Sequence, residues 1–170
     1  MKRIIAFTLT VIIISLSFAG CVGKKLPKEM PEDFSFSITW GTFGISSYDS
    51  KTGRLVKTKD ATVPDDYVTT YILTDDELKN IYNMIRDMEI EDYGEFGAID
   101  FGASDPYLTL SLTVEADGFY KTVTADEVSG YNDGNTPRAK RYLEVIRYIR
   151  DILINTDEWK ALPDYEFYYD

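Results

Sequence analysis

The sequence predicts an α+β fold: a two-layer sandwich in which an antiparallel sheet of about five or six strands carries two main helices on one face. Three observations point there. Residues 33–40 and 107–125 alternate apolar and polar side chains with period two, the mark of a half-buried strand. Residues 74–88 and 136–153 place apolar residues at helical spacing behind capping residues. Along the strands, hydroxyls share one side and large hydrophobes the other, so a single face is set to be covered.

Each element follows from local chemistry. Phe34, Phe36, Ile38 and Trp40 fall on one side of the first strand, with Ser35, Ser37 and Thr39 on the other. Tyr48 to Arg54 has hairpin-turn composition with Gly53 free to take positive φ, so Leu55 to Thr58 is expected to return as a strand. After a polar loop over 59–66, Tyr67 to Leu73 reads as a third strand by β-propensity. Thr74 and Glu77 form a capping box, and Leu78, Ile81, Tyr82, Ile85 and Met88 make one apolar stripe, predicting a helix to about Met88. Residues 89–106, rich in Gly and acids, are expected to be a long loop with short extended pieces near Ile99.

The hairpin over 107–125 is the sharpest local expectation. Asp117-Gly118 supplies a two-residue turn. Such a turn sets Leu112 opposite Val123, Leu110 opposite Ala125, Thr113 opposite Thr122 and Ser111 opposite Thr124. Thr136 then caps a second helix with Pro137 at its first position, where a missing N–H costs nothing. Its apolar face runs from Ala139 to Leu153. Thr156 to Trp159 starts a short last turn ended by Pro163, and Tyr165 to Asp170 is expected to add an edge strand.

The beginning of the chain reads differently. Lys2 and Arg3 precede a mostly apolar run from Ile4 to Phe18, and small residues follow, the pattern of a secretory leader. The run of about fifteen residues falls short of the ~20 needed to cross a bilayer. The chain's only cysteine, Cys21, comes directly after Phe18-Ala19-Gly20. This stretch resembles the lipobox of bacterial lipoproteins, with Phe18 where lipoboxes usually carry Leu. The resemblance implies a diacylglycerol thioether on Cys21, palmitate-type acyl chains, removal of the signal peptide 1–20, and a protein anchored at the outer side of the cytoplasmic membrane. Ser17-Phe18-Ala19 also fits an ordinary small-x-small cleavage site, which would release a secreted protein beginning at Gly20. Residues 21–32, with two prolines and several lysines, are expected to be the lipidated cysteine and a flexible tether, and 33–170 a single globular domain. About 150 residues remain after the leader, enough to bury about two thirds of the unfolded surface.

Composition narrows the function. The net charge is −11 and the leader itself is basic, so the remainder is still more acidic. Such a surface does not suit nucleic acid, whose phosphates need clustered Lys and Arg. Histidine is absent, which excludes Ser-His-Asp and Cys-His catalysis and histidine metal sites. With its cysteine consumed by lipid, the chain can form no disulfide, and it contains neither a Gly-x-Ser-x-Gly nor a Ser-x-x-Lys motif. The expectation is therefore a non-catalytic binding domain that needs no cofactor. A carboxylate-based glycoside-acting enzyme is a weaker alternative. Weak calcium binding by the acidic 89–105 loop is another, although no segment has the spacing of an EF-hand. Thr109, Ser111, Thr113, Thr122 and Thr124 on the open sheet face, with Tyr168 and Tyr169 of the tail, are the candidate binding residues. The partners that suit them are an envelope protein, a peptide or a glycan, besides the membrane held through Cys21.

Overall fold

A computed structural model describes residues 25–42, 45–59, 66–96, 98–102, 107–129 and 133–164. The leader, Cys21 and the tail from Tyr165, including Tyr168 and Tyr169, lie outside the described residues.

The fold is an α+β sandwich. Six antiparallel strands, β1 (Ser35–Gly41), β2 (Ser46–Asp49), β3 (Arg54–Lys57), β4 (Tyr67–Thr70), β5 (Leu108–Ala116) and β6 (Phe119–Val128), form one sheet in the order β4-β3-β2-β1-β5-β6. Four helices complete the described chain: α1 (Asp75–Asp87), α2 (Ala98–Phe101), α3 (Pro137–Ile154) and α4 (Asp157–Lys160). The apolar sides of the strands (Phe36, Ile38, Trp40, Leu110, Leu112, Val114) join Ile81, Ile85, Ile146 and Ile149 of the long helices in one buried cluster. Burial of this kind contributes roughly 25 cal/mol per Å² of apolar surface and is the main force joining the two layers.

Both helix starts form as the sequence reads. The Thr74 hydroxyl accepts from the Glu77 amide while the Glu77 carboxylate accepts from the Thr74 amide. At α3 the Thr136 hydroxyl accepts from Ala139 N, with Pro137 opening the helix. The β5–β6 register is also as expected: Leu112 faces Val123, Leu110 faces Ala125, Thr113 faces Thr122 and Ser111 faces Thr124. β6 continues three residues past Ala125, to Val128, through a register shift between Leu108 and Leu110 that accommodates one extra residue.

Four expectations change. Tyr48 does not begin the turn; it is a strand residue of β2, fully buried, with its hydroxyl donating to Tyr71 O at 3.1 Å. The turn is tighter, with Gly53 N donating to Asp49 O. β4 ends at Thr70 rather than Leu73, because Tyr71 turns away to bond Gly53 O through its amide and Glu77 through its hydroxyl. The described residues of the 89–106 segment, 89–96 and 98–102, are not open loop throughout, and the piece near Ile99 is helical (α2) rather than extended. A 3₁₀ turn over Ile90–Asp92, entered through a left-handed Glu89, folds Ile90 and Tyr93 inward, and Phe101 of α2 is buried with them.

The fourth change concerns residues 25–32, expected as tether. Leu26 is buried and Met30 packs against the core. Tyr82 Oη donates to Pro27 O at 2.6 Å and to Glu29 O at 3.2 Å, and Arg86 Nη1 donates to Lys28 O at 2.6 Å. The backbone carbonyls of this proline-bearing segment cannot enter the sheet, so α1 side chains satisfy them instead.

Gly53 illustrates how tightly the β3 end is built. Its φ is +70°, and a Cβ there would lie 2.8 Å from Tyr71 O and would run into Ile72 Cδ1. The exposed Ile72 side chain can swing aside; the carbonyl cannot. Gly53→Ala is expected to cost at least ~1–2 kcal/mol, from the left-handed backbone alone, and to lower the thermal unfolding midpoint. An unchanged midpoint would show that the turn relaxes freely.

Candidate binding face

Strand alternation and register together fix which side chains share the uncovered side of the sheet. Ser37 of β1 sits between Asp49 of β2 and Thr113 of β5, and Thr113 faces Thr122 of β6. The neighbouring row runs Ser47, Thr39, Ser111, Thr124. A third row joins Ser35, Glu115 and Tyr120, and Thr109 lies opposite Gly41. With strands ~4.8 Å apart, each four-strand row is roughly 14 Å long. All five candidate residues of the β5–β6 hairpin therefore fall on one face, half-buried or exposed.

The hairpin is only part of that face, which β1 and β2 extend. The residues that sequence reasoning left out of the site are Ser35, Ser37, Thr39, Ser47, Asp49, Glu115 and Tyr120. The alternation of Ser35, Ser37 and Thr39 was visible in the sequence. What was not visible is that β1 lies against β5, a pairing between segments about seventy residues apart.

Hydrogen bonds hold this face in place. The Thr113 and Thr122 hydroxyls are 2.9 Å apart, Phe36 N donates to the Ser50 hydroxyl at 2.8 Å, and Asp49 Oδ1 accepts from the Thr52 amide at 2.8 Å and hydroxyl at 2.9 Å. A shallow depression of about 80 Å³, bordered by Ser37, Asp49, Lys51, Thr113 and Glu115, lies on this face. That is far below the several hundred Å³ of a small-molecule site. A ligand would lie across the rows rather than sink between them. Tyr120, 67% exposed, offers a free aromatic ring at the margin.

The other candidates fare differently. Cys21 with Phe18, Ala19 and Gly20, and Tyr168 with Tyr169, lie outside the described residues. In the acidic segment 89–105, Asp100 accepts from the Thr136 hydroxyl at 3.0 Å. Among the described residues no three acidic side chains converge to hold a cation. No helix among them is long and apolar enough to cross a membrane.

The architecture defines this chain as a two-layer α+β domain with one helix-covered and one open polar sheet face. No family model matches the sequence, and no curated protein is similar to it.

Proposed function

We propose that the chain is a lipoprotein anchored through Cys21 at the outer side of the cytoplasmic membrane, and that its domain is a non-catalytic binding module whose open sheet face takes a hydroxyl-rich glycan. The observation that carries the binding reading is the continuous polar surface from Ser47 to Thr124, with carboxylates and a free tyrosine ring beside it. Paired hydroxyls and carboxylates exchange hydrogen bonds with sugar hydroxyls, and an exposed ring stacks on a pyranose face. Its flatness suits a chain molecule better than a small metabolite. The absence of histidine and the commitment of the cysteine to lipid leave little machinery for catalysis.

Two measurements test the reading. In detergent partitioning, the wild type is expected in the detergent phase, and Cys21→Ser uncut or in the aqueous phase. Aqueous wild type would end the anchoring. In affinity electrophoresis, the non-acylated chain from Val22 is expected to be retarded by envelope polysaccharide, with Tyr120→Ala weakening binding about tenfold, equivalent to ~1.4 kcal/mol. No retardation, with capture of an envelope protein instead, would reassign the face to a protein ligand.

A further inference from the structure

The docked segment 25–30 has a geometric consequence for an anchored protein. Its path along α1 ends with Lys25 Nζ 3.6 Å from Glu91 Oε1, in the 3₁₀ turn just beyond the C-terminal end of α1. From Cys21 to Lys25 there are four Cα steps, so at most roughly 14 Å of chain separate the lipid from the domain surface. A domain of this size is roughly 35–40 Å across, more than twice that reach. The leash is too short for the domain to turn its far side to the bilayer.

Two hollows open at this same end, between the C-terminal half of α1 and the N-terminal half of α3. One, about 330 Å³, is floored by Met84, Met88 and Val145; the other, about 350 Å³, continues it past Asp92 and Tyr93. Arg141 borders both. It is exposed and makes no hydrogen bond or ion pair within the described structure. Arg138 lies over the Tyr93 ring, 4.8 Å from its centre, and donates to Asp92 O at 2.6 Å. Asp87, Glu89 and Glu144 stand on the rims. Cationic and anionic groups thus alternate around an apolar floor. That arrangement matches a zwitterion, a phosphate joined to an ammonium, better than a polyanion.

We propose that the domain is seated on the bilayer by this end, with the α1–α3 groove against phospholipid headgroups: Arg141 pairs with a phosphate, and rim carboxylates such as Glu144 pair with the ammonium of phosphoethanolamine. The seating rests on the anchoring proposed above. It directs the α1–α3 groove to the membrane and keeps the open sheet face clear of it.

The test uses the full acylated protein in vesicles of phosphatidylethanolamine and phosphatidylglycerol containing a headgroup-labelled acceptor lipid. Because Cys21 carries lipid, a single added cysteine takes the fluorescent donor. Gly94→Cys places it at the seated end, where an added Cβ meets nothing within 4 Å; Thr124→Cys places it on the exposed side of the sheet. Energy transfer from position 94 is expected to exceed that from 124 severalfold, and Arg141→Ala to reduce the difference by about half. Equal transfer from the two positions in protein that floats with the vesicles overturns the seating and leaves the anchoring intact. A difference unaffected by Arg141→Ala overturns the headgroup contact. Protein that does not float and lacks the acyl mass overturns both.

Discussion

Raising the pH from about 10 to about 12 is expected to unfold the domain. Burial pushes the Tyr48 hydroxyl up to about 12, only partly offset by a backbone hydrogen bond with Leu73. Tyr71 rises to about 12 through burial and its hydrogen bond to the Glu77 carboxylate, whose charge also opposes a second negative charge. Burial raises Tyr142 further still, and raises Tyr82 against the pull of Arg86 and Tyr93 against that of Arg138 and Arg141. In the unfolded chain these phenols ionise near pH 10. The folded state therefore holds protons that the unfolded state has released, and stability falls with rising pH. The stabilisation is complete below about 10 and is lost as pH climbs through the folded values. For the fully buried Tyr48 alone the loss is on the order of 2–3 kcal/mol, against a total stability of ~5–15 kcal/mol for a domain of this kind. Loss of the circular-dichroism signal should coincide with a cooperative rise in tyrosinate absorbance. Gradual titration of all 13 tyrosines with secondary structure intact would refute it.

Tyr142→Ala should be among the most damaging single substitutions. The ring is fully buried on α3, its centre 5.0 Å from the Phe96 ring, and its hydroxyl donates to Val123 O at 3.0 Å across to β6. Truncation leaves a cavity between the layers and strands a carbonyl, for an expected cost of ~3–5 kcal/mol in urea unfolding. Tyr142→Phe keeps the packing and removes only the hydroxyl, so about 1 kcal/mol should be lost. An Ala variant no weaker than the Phe variant would mean that the site collapses around the missing ring.

Tyr142 also shows the limit of local reading. Its place in the apolar stripe of α3 was evident from spacing, but its carbonyl partner on β6 was not. Lys57 is a similar case. By composition it belongs on a surface, yet it is 5% exposed, with its ammonium 5.5 Å from the centre of the Trp159 ring, and Trp159 in turn lies tilted against Trp40, ring centres 5.7 Å apart. The short helix α4, capped by Thr156, is what brings that ring to the end of the sheet.

The sequence by itself determined the elements whose causes are local: the two capped helices, the alternation of β1, and the β5–β6 hairpin with its register. Period, cap and turn act over a few residues, so they can be read from a few residues. Tertiary structure alone decided that Ser46–Asp49 is a strand, that β1 lies between β2 and β5, that 25–30 docks on α1, and that Ile90, Tyr93 and Phe101 fold inward. In each of these the stabilising partner is distant along the chain. Ser-Ser-Tyr-Asp resembles a turn until Tyr48 finds the core, and a lysine-proline segment resembles a linker until Tyr82 and Arg86 accommodate its carbonyls. Burial and long-range pairing outweighed local propensity there, and no periodicity records such a pairing in advance.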